Sequence, residues 1–279
     1  MKLVQISDTH ISRLGGTTNE NLAKIVGLLN EQLRPDVVVH SGDVSILDPD
    51  EGGDREAARE LLAGIQAPLR VLPGNHDVGE PGDAPWAGIG VTSERLAAFR
   101  SVFGEDRWVD DLGEWALIGF NSEIIGSGLP EEQEQWAWLE SLGGRLDGRP
   151  AIVFCHKPIW SPTAAVSSAS LSVAPEAVAR LESTFASIEV QAFASGHLHR
   201  FALGERRGAH TVSAPSTAFV HRGHEDLLGP GVSELGVVEY LLEDGAAAPA
   251  FRRVAWLEDA EPMTIPAFAA SAQALGVTI

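Results

Sequence analysis

The chain has 279 residues, 44% of them hydrophobic and 21% charged, with a formal net charge of -19 and one cysteine. That composition excludes collagen, coiled coil and bulk disorder, and a single cysteine, Cys155, excludes intrachain disulfides and thiolate zinc clusters. The acidity argues against long nucleic acid as a partner, and no apolar run reaches the ~20 residues needed to span a membrane.

The opening, MKLVQISDTH, lacks the long apolar stretch of a signal peptide, so a cytoplasmic location is expected. Within it, residues 2–7 read as a buried strand. Leu22, Ile25, Leu28, Leu29 and Leu33 recur at helical spacing over 18–34, and Pro35 ends that helix. A strand at 36–42, a helix at 54–65 and a strand at 68–74 follow. Residues 78–91 are rich in Gly, Pro and Asp and read as a loop. A helix at 92–103, a strand at 115–122, a helix at 131–146 and a strand at 150–156 come next. A Ser/Ala/Pro loop at 159–173 leads to a helix at 175–187, opened by Pro175, and a strand at 190–197. Then come two hairpins, 200–216 around Glu205–Gly208 and 234–256 with Asp244–Gly245 at its turn. The order predicts an α/β core whose second half adds antiparallel strands. Residues 1–256 read as one domain, and 257–279 as a tail packing on the body or at a homo-oligomer contact.

Polar residues recur where apolar strands end: Asp8 and His10, Asp43, then Asn75, His76 and Asp77, then His156, then His197 and His199. Sites in α/β sheets form at the carboxyl ends of strands. Two Asp, one Asn and four His suit Mn, Fe, Zn, Co or Ni. Seven donors exceed one tetrahedral ion and suit two ions with one bridging carboxylate, a clamp for in-line displacement at phosphorus.

The ordered blocks Asp8-Thr9-His10, Gly42-Asp43, Gly74-Asn75-His76-Asp77, His156 and Gly196-His197-Leu198-His199 resemble the motif set of the calcineurin-like metallophosphoesterases. QISDTH, SGD and PGNHD look most like the bacterial class III cyclic-nucleotide and glycerophosphodiester phosphodiesterases. The resemblance implies a four-layer αββα sandwich of two mixed β-sheets flanked by helices. It implies two transition metal ions, Mn, Fe or Zn, one on Asp8, His10 and His199, the other on Asn75, His156 and His197, with Asp43 between. It implies in-line attack by a hydroxide bridging the metals, and Asn75 and His76 touching the substrate. His76 would contact a phosphoryl oxygen and protonate the leaving alkoxide, a role that imidazole, as a general acid and base, is suited to. The implied substrate is a small anionic phosphodiester. Alternatives are a phosphomonoesterase or pyrophosphate-bond hydrolase using the same site, decided by loops 78–91, 159–173 and 216–233, and, from another class, a non-catalytic scaffold.

Gly42, Gly74 and Gly196 are expected to supply sharp backbone turns. Some relatives carry an Asp three residues after the bridging one to orient the catalytic His; here Ile46 stands there, leaving Asp48 and Asp77 as candidates. Lys157 replaces a second His after His156; it is read either as holding a phosphate oxygen or as pointing into solvent, and strand alternation favours solvent. The same alternation turns Cys155 away from the ligands. His40 reads as a supporting residue, Asn121 and Ser122 as a strand cap or site wall. His221 and His224 read as rim or loop, and Trp86, Trp160 and Phe219 as core or substrate-stacking residues.

Overall fold

The structure is a computed structural model and describes every residue except 47–49, 51, 83–84, 86–87, 147, 162–169, 223–227, 260 and 276–279, and the side chains of 52, 267, 271, 274 and 275. The chain forms in order β1 (Lys2–Ile6), α1 (Thr17–Gly27), β2 (Val37–His40), α2 (Gly52–Leu62), β3 (Leu69–Val71), α3 (Asn75–Val78), α4 (Ser93–Phe103), β4 (Trp108–Asp111) and β5 (Ala116–Gly119). There follow α5 (Pro130–Glu140), β6 (Ala151–Phe154), α6 (Pro175–Phe185), β7 (Val190–Ser195), β8 (Ala202–Arg206), β9 (Ala209–Ser213), β10 (Gly236–Glu243), β11 (Ala246–Arg253) and α7 (Pro266–Leu275).

Two mixed sheets result, ordered β11-β10-β1-β2-β3 and β4-β5-β6-β7-β9-β8. Strands β1, β2 and β3 are parallel in the first, and β5, β6, β7 and β9 in the second. Their continuous apolar runs bury both faces. In β2, Val37 and Val39 face the second sheet while Val38 faces α1, α2 and α4. In β6, Ile152 and Phe154 face the first sheet while Ala151 and Val153 face α5 and α6. Three apolar layers therefore separate four structural layers, the αββα order that the motifs implied.

The departures have local causes. The helix expected over 18–34 changes at Leu28–Leu33 to a π-helical segment, in which the Arg34 N–H donates to the Leu29 carbonyl at 2.8 Å. The wider turn keeps Leu28, Leu29 and Leu33 buried together. Strand β4 is four residues with two acids, too short and polar to show as a strand in sequence; it pairs antiparallel with β5 and its Asp110 holds Arg70. Both hairpin turns fall where the sequence put them, with positive φ at Arg207–Gly208 and Asp244–Gly245, the geometry of tight hairpins. Residues Ile265, Phe268 and Ala272 of the terminal segment pack on Ile46, Ala218 and Phe219.

A candidate metal centre

Five parallel strands end at one edge of the sandwich and deliver the donors. Asp8 and His10 follow β1, Asp43 follows β2, Asn75 and His76 open α3 after β3, His156 follows β6, and His197 and His199 follow β7. The loops are stitched by main-chain bonds: Asp8 N–H to Gly42 O at 3.0 Å, His10 N–H to Asp43 O at 3.1 Å and Gly196 N–H to His156 O at 2.9 Å. Of eight non-glycine residues with positive φ among the described residues, five are donors: Asp8, His10, Asp43, His197 and His199. Left-handed backbone at such residues costs free energy and persists only where the surroundings enforce it.

The donor atoms fall into two groups, Asp8, His10, Asp43 and His199, and Asp43, His156 and His197, each within a 4.8 Å span. Asp43 belongs to both. The Asn75 Oδ1 lies 3.2 Å from His156 Nε2, which lies 3.2 Å from Asp43 Oδ2 and from His197 Nδ1. His76 stays outside both groups, its Nε2 3.9 Å from Asp43 Oδ2 and its backbone N–H bonded to Asp43 Oδ1. Thus the structure brings all eight expected site residues together.

Each of four imidazoles turns its outer nitrogen to a main-chain carbonyl: His10 Nδ1 to Ile46, His156 Nδ1 to Ser41, His197 Nε2 to Ser170 and His199 Nδ1 to Phe219. A carbonyl only accepts, so the outer nitrogen carries the proton and the inner one presents a lone pair. His10 Nε2 and His199 Nε2 then face each other at 3.0 Å. Two lone pairs so placed repel unless they share a cation. Burial opposes charge on Asp8 and Asp43, yet His199 beside Asp8 and His156 beside Asp43 hold both carboxyls well below the usual range. Burial and neighbouring imidazoles push His10 and His197 down, keeping them neutral. His156, against its burial, is drawn up to about 10 by Asp43 and Asp8. A cluster that draws a second proton onto the inner nitrogen of His156 lacks positive charge, and a metal ion would supply it in that proton's place. The residues fit such an ion.

The calcineurin-like phosphoesterase family profile matches residues 1–201. The chain belongs to this family. As a calcineurin-like phosphoesterase it is a metal-dependent phosphoester hydrolase. It is 27% identical over 222 residues, 72% of each chain, to the probable glycerophosphodiester phosphodiesterase GpdQ of Arcobacter nitrofigilis. It is 28% identical over 227 residues, 77% of this chain and 86% of the other, to a probable cyclic nucleotide phosphodiesterase of Vesicomyosocius okutanii. A dimetal phosphatase from Danio rerio shares the fold, with a TM-score of 0.61 and 12% identity over 91% of this chain and 96% of that one.

Within this phosphoesterase, the glycines act differently from expectation. Of Gly42, Gly74 and Gly196, Gly42 alone has positive φ, 103°. Gly74 and Gly196 matter for space: a Cβ would meet the Asp43 carboxylate carbon at 2.8 Å or Asp8 Oδ2 at 2.8 Å. Asp77 serves the backbone. Its carboxylate accepts the N–H groups of Val44, Ser45 and Gly74, tying the β2 and β3 loops together. At Ile46 the side chain packs under α7 and the carbonyl orients His10. Asp48 lies outside the described residues, as do Trp86 and His224.

Lys157 overturns the solvent expectation. It is 1% exposed, with Nζ 3.0 Å from Glu80 Oε1 and 3.5 Å from Glu123 Oε2. Burial works against its charge, and the two carboxylates more than restore it. The strand has ended before Lys157, so alternation no longer applies. Cys155 does face the outer helices, its thiol donating to the Lys157 carbonyl. His40 supports the site, accepting the Gly42 N–H at Nδ1 and meeting Thr9 Oγ1 at Nε2. Asn121 caps the turn at Ser122–Ile124 by accepting the Glu123 N–H, and Ser122 Oγ accepts the Lys157 N–H. Trp160 binds Glu182 and packs against Phe193, away from the ligands.

A cavity of about 320 Å³ opens on the cluster, and no lysine or arginine lines it among the described residues. Phe219 lines it, as does His221, stacked on His199 at 4.3 Å. Glu80, Leu171, Pro262 and Phe268 also line it. The sequence reading passed over these four, since each stands alone in a loop or tail without a motif.

Proposed function

We propose that the chain is a dinuclear metal-dependent phosphodiesterase acting on a small diester of the cyclic-nucleotide or glycerophosphodiester type. The observation that carries this is Asp43, shared by two donor groups. Asp8, His10 and His199 would hold one ion, and Asn75, His156 and His197 the other. A bound pair would neutralise phosphoryl oxygens and lower the pKa of water toward neutrality.

The chain's own residues do the rest. Asp77 and the main-chain bonds between loops fix the donors before substrate arrives. His76 is half-buried at the cavity wall, off both donor groups, and its ring meets the His10 ring edge-on at 4.8 Å. It donates to a phosphoryl oxygen and gives the leaving alkoxide its proton. A cavity with no lysine or arginine in its described lining favours a monoanionic diester over a dianionic monoester. The relatives named above divide between cyclic-nucleotide and glycerophosphodiester enzymes, which supports the diester reading.

Elemental analysis of the metal-loaded protein is expected to give two ions per chain. Asp43→Ala is expected to lose both metal and turnover of bis(p-nitrophenyl) phosphate. Undiminished turnover in that variant, or in metal-stripped protein, refutes the proposal. A comparison of kcat/KM for cyclic AMP, a glycerophosphodiester and p-nitrophenyl phosphate orders the substrate classes.

A further inference from the structure

The cavity above the donors has a second, chemically opposite wall. Besides the imidazoles and carboxylates, Leu171, Leu198, Phe219, Leu228, Pro262 and Phe268 line it. They come from loops after β6, β7 and β9 and from the terminal segment. Phe219 joins the two walls. It stacks on the His10 ring at 4.9 Å and 27°, and meets Phe268 edge-to-face at 6.0 Å and 80°. Phe268 is 4% exposed and seated among Ile46, Ala218, Ile265 and Ala272.

This roof is anchored. The Asn21 amide in α1 donates to the carbonyls of Thr217 and Glu258 and accepts the Glu258 N–H. Asp259 accepts the Val220 N–H at 3.0 Å and pairs with Arg222. Ser216 Oγ donates to the Asp8 carbonyl at 2.8 Å, joining roof to floor.

We propose that Phe268 and its apolar neighbours form a subsite for one ester group of the substrate, taking an aromatic or branched-alkyl alcohol in preference to a small polyol. The proposal rests on the phosphodiester reading above. Leucine, proline and phenylalanine side chains carry no hydrogen-bonding group. Hydroxyls set against them lose water and gain nothing, whereas a ring buries its surface there. Phe268 and Pro262 thereby give the terminal segment a part in specificity without placing it among the reacting groups.

The test is competitive inhibition of bis(p-nitrophenyl) phosphate hydrolysis by methyl phenyl phosphate and by dimethyl phosphate. Both are monoanions, and they differ in one ester group. The full-length, metal-loaded protein is expected to bind the phenyl ester tighter by roughly 10- to 100-fold. Phe268→Ala is expected to remove most of that ratio through the phenyl ester alone, with metal content and the dimethyl phosphate constant unchanged; Phe268→Leu restores it. Equal constants in the unsubstituted protein overturn the subsite, and so does a ratio that Phe268→Ala leaves intact. If Phe268→Ala does not fold, the first comparison still decides. Should the metal-loaded protein not turn over the diester at all, the phosphodiesterase reading fails separately, and calorimetric binding of the two phosphates then decides the subsite.

Discussion

The floor of the cavity hangs from five parallel strand ends and is stitched by main-chain bonds and the Asp77 carboxylate. Its roof gathers single apolar side chains from distant segments and rests on packing, with Asn21 and Asp259 as its polar ties. Geometry at the floor must be exact to within an atom's width, because lone pairs have to converge. The roof needs only carbon at the right distance, and many residues provide it. Changes to the floor should therefore abolish rate or stability, while changes to the roof should redistribute substrates.

The sharpest break would come from His76. His76→Ala is expected to lower kcat by roughly 10²- to 10⁴-fold, less for p-nitrophenol esters than for alkyl esters, and to leave the phenyl-to-methyl inhibition ratio untouched. A loss of that ratio would merge floor and roof into one unit. Next in size is Lys157→Met, which strands Glu80 and Glu123. Denaturant unfolding is expected to show a loss of about 3–5 kcal/mol, largely recovered when Glu80→Gln and Glu123→Gln are added. Gly196→Ala pushes a methyl group at Ser7 and Asp8, and overpacking of that kind costs about 1–3 kcal/mol, measured in the same way, with a parallel fall in metal content.

The most gradual effect, small for each pH unit, is a slope with pH. In metal-free protein the His156 pKa is raised to about 10. A raised pKa contributes stability that is complete below the free value near 6.5 and is lost as pH climbs through about 10, at no more than about 1.4 kcal/mol per pH unit. The lowered carboxyls of Asp8 and Asp43 act oppositely, contributing above about pH 4 and less as acid is added. Urea titrations from pH 6.5 to 10 are expected to show the decline without metal and a flat line with it. The Phe268→Ala variant should keep the slope.

These two regions also differ in how far sequence exposed them. Asp8, Asp43 and His156 end apolar strands and lie in short blocks, so local pattern places them near one sheet edge. The αββα layering came from the motifs' resemblance to a family, since apolar strands such as 36–42 and 150–156 pointed by themselves only to an α/β core. Phe268 carries no such mark, since an isolated aromatic in an alanine-rich helix points equally well to core, interface or cavity. Lys157 misled because alternation was extended past the last residue of β6. Glu80 and Glu123, which fix it, lie 77 and 34 positions before it in the chain, a distance over which periodicity says nothing. The left-handed φ at Asp8 and His199 was equally silent, because those residue types tolerate that backbone without requiring it.

One small feature has a wider reach than its size. Asn21 grips the 217–218 turn and residue 258 through peptide atoms, never through their side chains. Such a socket is indifferent to which amino acids pass through it. Side chains at 217, 218 and 258 can change without loosening that grip, while Ile265, Phe268 and Ala272 keep the following helix seated by their packing. The proposed subsite therefore rests on a joint that drift in those three side chains leaves closed.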